Sequence, residues 1–149
     1  LYSSKVNPDE ILDRVGLLNK KDSYFEPLSG GQKQRLSIAV ALVNDPKVLF
    51  FDEPTTGLDP QARRNMWELI KSFQKDGKTI VLTTHYMEEA EILCDRVAII
   101  DEGEIIKINS PSNLIDELTQ SGFKSTKKVR EATLEDVFIN LTGKSLRED

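Results

Sequence analysis

The chain has 149 residues, 38% of them hydrophobic and 30% charged, with a formal net charge of −5, which suits one globular domain with a real core. The acidic balance argues against a nucleic-acid partner, which is usually met by a clustered basic face. No apolar run approaches the ~20 residues that span a bilayer.

Cys94 is the single cysteine, so no intrachain disulfide can form, which fits a reducing compartment. The opening Leu1-Tyr2-Ser3-Ser4-Lys5 has no initiator methionine and no signal-peptide pattern, and reads as a piece of a longer chain.

Taken in chain order, Asn7-Pro8-Asp9-Glu10 predicts a helix start: a capping side chain, a proline at the first helical position, and an acid placed for a capping box. Ile11, Leu12, Val15 and Leu18 form its apolar face. A second helix is predicted from Ser29-Gly30. It is apolar over much of its circumference, so it should be largely buried, and Asp45-Pro46 ends it. Val48 to Phe51 is a continuous β-prone run, as expected of a parallel strand covered on both faces.

Asp59-Pro60 starts a further helix that runs to about Lys75 with Met66, Trp67, Leu69, Ile70 and Phe73 inward, and Gly77 stops it. Thr79 to Thr83 is a second buried strand, Tyr86 to Cys94 a helix, and Arg96 to Ile100 a third strand. Glu102-Gly103 predicts a turn, with Glu104 to Ile108 pairing back antiparallel. Ser110-Pro111 begins a helix through Leu118, and Thr119 to Arg130 is polar and expected as a loop. Thr133, with Asp136 three residues on, caps a last helix that ends at Gly143. Lys144 to Asp149 is expected to fray. Strand–helix alternation from Val48 to Ile100 implies an α/β fold of βαβ units.

Three features carry chemistry. Ser29-Gly30-Gly31 at a helix start offers free N–H groups, a hydroxyl and the positive end of the helix dipole to an anion. A plain serine cap with a flexible turn explains the same residues. Asp52-Glu53 ends an apolar strand, where ligands of open α/β sheets bind. Such a pair can hold Mg²⁺ and orient a water, and equally is a solvated acidic turn. His85, the single histidine, follows the second strand run. It suits a hydrogen bond to a phosphate, or a packed surface position. Gly57-Leu58-Asp59 is a glycine turn feeding a capped helix.

Together these segments resemble the ATP-binding cassette (ABC) family. Leu28-Ser29-Gly30-Gly31-Gln32 matches its signature motif, and Val48 to Glu53 resembles its Walker B strand. Gly57-Leu58-Asp59 resembles its D-loop, and His85 its switch histidine. Order and spacing fit along nearly the whole chain, and the joint match is specific where each motif alone is not.

The resemblance implies a P-loop NTPase-like parallel sheet with flanking helices. It also implies a helical signature subdomain over 1–45, the C-terminal part of the catalytic core over 46–109, and accessory helices over 110–149. It implies ATP and Mg²⁺ as cofactors, with ATP sandwiched between two cassettes. Ser29, Gly30, Gly31 and Gln32 would clamp the γ-phosphate of ATP held by a second subunit. Asp52 would hold Mg²⁺ through water, Glu53 would polarise the attacking water, His85 would contact the γ-phosphate, and Asp59 would line the dimer interface.

The segment Ala132 to Gly143 is similar to the tail of cassettes that drive ABC-2-type exporters. That implies a transmembrane permease partner, a peripheral place on the cytoplasmic face of the membrane, and no nucleic acid. Two other classes remain open: a non-transport ABC ATPase associated with ribosomes or DNA, and a non-catalytic interaction module. The Walker A lysine loop, the glutamine loop and the adenine-stacking aromatic have no match here, since Gly30-Gly31-Gln32-Lys33 lacks phosphate-loop spacing. The chain therefore reads as the C-terminal half of a cassette. Alone it is expected to bind ATP feebly, to be inactive, and to expose strand edges that favour self-association.

Overall fold

Asn7 starts the first helix as its chemistry dictates. Its Oδ1 accepts the Asp9 N–H at 3.0 Å, and Pro8 opens α1 (Pro8–Arg14). The computed structural model describes residues 7–123 and 134–143. The expected Thr133 cap, Ala132, residues 124–130 of the expected loop and the tail 144–149 lie outside the described residues.

The helical phase of α1 does not reach Leu18. Gly16 has φ +69°, a left-handed conformation that glycine adopts at no steric cost. The chain therefore turns, Leu17 becomes the buried residue at 2% exposure, and Leu18 is left 38% exposed. A short 3₁₀ turn covers Leu18–Lys20.

The chain divides into two compact units, Leu1–Thr83 and Thr84–Asp149. The first holds α1, α2 (Gly30–Leu42), β1 (Val48–Asp52), α3 (Pro60–Lys75) and β2 (Thr79–Thr83). β1 and β2 pair in parallel, in the register Val48↔Thr79 to Asp52↔Thr83. That is the parallel pairing across a helical connection that strand–helix alternation implies.

Three burial expectations are corrected. β1 alternates instead of being covered on both faces: Leu49 and Phe51 are buried, while Val48 is 45% and Phe50 77% exposed. β2 is likewise not fully buried, with Val81 46% exposed beside Phe50 in the register. Successive strand side chains point to opposite faces, and the described chain covers only one face of this pair. α2 is also less buried than its composition implies. Ile38, Ala39 and Leu42 are inside, whereas Val40 is 68% exposed. A helix buries only the stripe that a neighbour covers.

α3 fulfils its pattern. Met66, Trp67, Ile70 and Phe73 are buried at one helical face, and Leu69 is half-buried. The helix ends as expected at Gly77, whose N–H donates to the Gln74 carbonyl at 2.9 Å. Around this end, Arg14 forms an ion pair with Asp76, and its guanidinium lies 5.3 Å from the Phe73 ring centre. Lys78 donates to Asp45 at 2.5 Å. The bonded ammonium holds the Asp45 carboxyl below its ordinary value.

The second unit carries α4 (Met87–Leu93), β3 (Val97–Asp101), β4 (Glu104–Asn109), α5 (Pro111–Gln120) and α6 (Leu134–Thr142). β3 and β4 form the expected antiparallel hairpin, with a register irregularity between Ile99 and Ile100. Glu102 and Gly103 have φ +51° and +82°, the paired left-handed conformations of a tight hairpin turn. Ala90, Ile99, Leu114, Leu118, Leu134 and Val137 form the core of this unit. Glu91 reaches out of α4 to accept the Leu134 N–H at 2.8 Å, which ties the start of α6 down. Cys94 is half-buried at the end of α4. Burial, then the nearby Glu89 and Asp95 charges, push its thiol up to about 11, so it stays protonated at neutral pH.

Candidate functional site

The start of α2 is built by its own side chains. Ser29 Oγ accepts the Gln32 N–H at 3.3 Å, and Gln32 Oε1 accepts the Ser29 N–H at 2.9 Å, a complete capping box. The Lys33 N–H donates to the Ser29 carbonyl at 2.9 Å. Of the amides that a helix start leaves without an intrahelical acceptor, this leaves those of Gly30 and Gly31.

A Cβ on Gly30 would meet nothing within 4 Å, and its φ is not left-handed. Neither conformation nor internal packing requires glycine there. What the missing side chain permits is close approach from outside. A Cβ on Gly31 would meet Leu58 Cδ2 at 3.5 Å and Ala62 Cβ at 3.9 Å, so this end of α2 lies against the turn and helix that follow β1.

Asp52 is the last residue of β1 and pairs with Thr83. The Thr83 hydroxyl donates to Asp52 Oδ1 and accepts the Glu53 N–H, the latter at 3.2 Å. The same N–H also donates to the Thr83 carbonyl at 3.1 Å. Glu53 has φ +44°, which is uncommon for a residue with a Cβ and puts strain where the strand ends. The Thr56 hydroxyl donates to Glu53 Oε2 at 3.0 Å. Both carboxylates are exposed.

Gly30 and Asp52 share an open cavity of about 430 Å³, lined also by Lys33, Ser37, Phe51 and Pro54. Among the described residues no three His, Cys, Asp or Glu side chains gather as a metal site. One exposed carboxylate beside a hydroxyl still suits Mg²⁺, which keeps several waters and takes its other ligands from phosphate.

Asp59 is the N-cap of α3, with Oδ1 accepting the N–H groups of Gln61 and Ala62, each at 2.9 Å. Asp59→Ala removes both bonds, and we expect a loss of about 0.5–2 kcal/mol in stability, read by chemical denaturation. Asp59→Asn keeps an acceptor and should lose less. His85 is half-buried in the second unit, two residues past the Thr83 that pairs with Asp52. Its ring centre lies 4.2 Å from that of Tyr86, at 39°.

The family model described as "ABC transporter" matches residues 3–56, a span that contains the Leu28–Gln32 motif and the Asp52-Glu53 pair. Nod factor export ATP-binding protein I of Burkholderia orbicola is 57% identical over 106 residues, 71% of this chain and 35% of that protein. The protein of the same name from Rhizobium meliloti is 53% identical over 107 residues, 72% of this chain and 32% of that one. The solved structure of cbiO1 from Clostridium perfringens, part of the ABC transporter complex cbiONQ, overlays with a TM-score of 0.67 at 37% identity. The overlay covers 76% of this chain and 48% of that one.

The chain belongs to the ABC transporter family. It spans about a third of the length of the curated relatives it matches, and its mixed α/β structure with parallel strands is the expected fold class. Among the described residues no helix is long and apolar enough to cross a membrane.

Within this ABC-family segment, the structure brings Ser29, Gly30, Gly31, Gln32, Asp52, Glu53 and Asp59 into the first unit, while His85 opens the second. Sequence reasoning missed Thr56 and Thr83, which hydrogen-bond the carboxylate pair. The parallel register of β1 with β2 is what puts Thr83 opposite Asp52, and the residue letters carry no signal for it. It also missed Thr55, which is fully buried. For that residue a Pro-Thr-Thr-Gly turn gives no warning, since such residues normally lie at the surface.

Proposed function

We propose that the complete protein is the ATP-binding and ATP-hydrolysing subunit of an ABC exporter. It works as a pair of cassettes against a transmembrane permease, peripheral on the cytoplasmic face of the membrane. The observation that carries this reading is the start of α2: capped by its own side chains, with two glycine amides left over and open space in front of Gly30. That is the chemistry of a phosphate seat. The relatives named for Nod factor export support the exporter class.

ATP supplies the anhydride that is cleaved, and Mg²⁺ supplies charge that offsets its phosphates. The chain's own residues do the rest. The amides of Gly30 and Gly31 and the Ser29 hydroxyl, which Gln32 holds in place, grip the γ-phosphate of ATP carried by the second subunit. Asp52 would hold the Mg²⁺. Glu53 accepts the proton of the attacking water, His85 hydrogen-bonds the γ-phosphate, and Asp59 lines the interface between cassettes. Positioning and charge are what phosphoryl transfer demands of a protein.

Gly30→Asp tests the seat. An acid in the first turn favours the helix, so the fold should hold while phosphate is repelled. We expect ATP turnover of the complete protein to fall about a hundredfold with its melting temperature unchanged. Turnover at the parent rate would remove the phosphate role from this helix start.

A further inference from the structure

We propose that Thr56 is a positioning residue that aims the Glu53 carboxylate. The inference rests on Glu53 acting as the acceptor of the water's proton.

A glutamate side chain has three rotatable bonds, and Glu53 is exposed, so nothing in its covalent structure points it anywhere. Its backbone is held first. Glu53 has φ +44°, and its N–H is bonded to both the carbonyl and the hydroxyl of Thr83, at 3.1 Å and 3.2 Å. That conformation takes the chain out of the strand's alternation and into a turn, in which the Thr56 N–H donates to the Glu53 carbonyl at 3.2 Å. The turn brings the Thr56 side chain back over Glu53, and its hydroxyl donates to Oε2 at 3.0 Å.

The consequence is an aimed carboxylate: Oε2 accepts the threonine hydrogen, which restricts how the group can turn. A hydroxyl is neutral, so this bond fixes direction without bringing an opposing charge to the carboxylate. Rates depend steeply on such placement, with about a hundredfold at stake for an error near 1 Å. Thr56 itself need not touch water or nucleotide.

The test uses Thr56→Val, Thr56→Ser and Glu53→Gln, each in the complete protein assembled as it works. Thr56 is exposed, so valine, which matches threonine in shape, should leave the fold intact, and a melting curve checks this. We expect Thr56→Val to lower kcat about tenfold with KM within about twofold of the parent, since only the chemical step uses the aimed carboxylate. Thr56→Ser, which keeps the hydroxyl, should restore most of the rate.

An unchanged kcat in Thr56→Val, with Glu53→Gln inactive, overturns the positioning role and leaves the role of Glu53 standing. A serine variant as slow as the valine variant also overturns it, because the hydroxyl would then not be what matters. Full turnover in Glu53→Gln sinks the role of Glu53 and the positioning role together.

Discussion

We expect Glu53→Gln to lower ATP turnover of the complete protein by about two to four orders of magnitude, the range that a positioned general base contributes. Nucleotide binding should be retained. The substitution is close to isosteric, and the amide oxygen of glutamine can still accept the Thr56 hydroxyl that bonds Glu53 Oε2 at 3.0 Å. The backbone bonds from Glu53 N–H to Thr83 do not involve the side chain. What disappears is the negative charge and the capacity to take a proton. The variant should therefore hold ATP without cleaving it. Phosphate release measured beside nucleotide retention on a sizing column separates the two effects, and parent-level release would take the proton-accepting role away from Glu53.

Phe73→Ala should destabilise the protein by about 3–5 kcal/mol, the usual cost of emptying a buried phenylalanine site. Phe73 is 0% exposed on the inward face of α3, with Met66 at 1% and Ile70 at 0%. Close-packed neighbours relax only partly into the space. The Arg14 guanidinium, 5.3 Å from the ring centre, also loses its aromatic partner. Typical domains have only about 5–15 kcal/mol in total, so the loss shows as a large fall in the denaturant midpoint. Lys75→Ala, at an exposed site two residues away, is the control and should shift stability by less than about 0.5 kcal/mol. Equal effects from the two substitutions would contradict the burial assigned to α3.

The legible parts of the fold were those written in local chemistry. Asp59-Pro60, Ser110-Pro111 and Asn7-Pro8 each join a capping side chain to a proline, and each begins a helix as expected. The Glu102-Gly103 turn and its hairpin were legible for the same reason. Burial was not. Phe50 and Phe51 are identical letters side by side, yet Phe50 is 77% exposed and Phe51 9%. Which face of a strand is covered depends on what packs against it. Leu17 and Leu18 exchange places for a related reason, since one left-handed residue at Gly16 resets the phase of everything after it.

In the candidate site the division is similar. The Leu28-to-Gln32 motif, the acid pair and His85 stand out by residue type and spacing, and these letters suffice to propose an ABC-family phosphate chemistry. The Ser29-to-Gln32 spacing is itself a capping-box signature that sequence reasoning passed over, and the structure shows the two residues capping each other. The letters do not place Thr83 on Asp52 or Thr56 on Glu53. Those bonds join residues 31 and 3 positions apart, and they exist only once two strands have paired in one register and the chain has turned left-handed at Glu53. Short-range propensities act within a few residues, so sequence alone determined the elements and the kinds of chemistry they carry. Strand pairing acts across the fold, and through the bonds from Glu53 N–H to Thr83 it also holds the start of the turn that carries Thr56, so only the tertiary structure decided which hydroxyl serves which carboxylate.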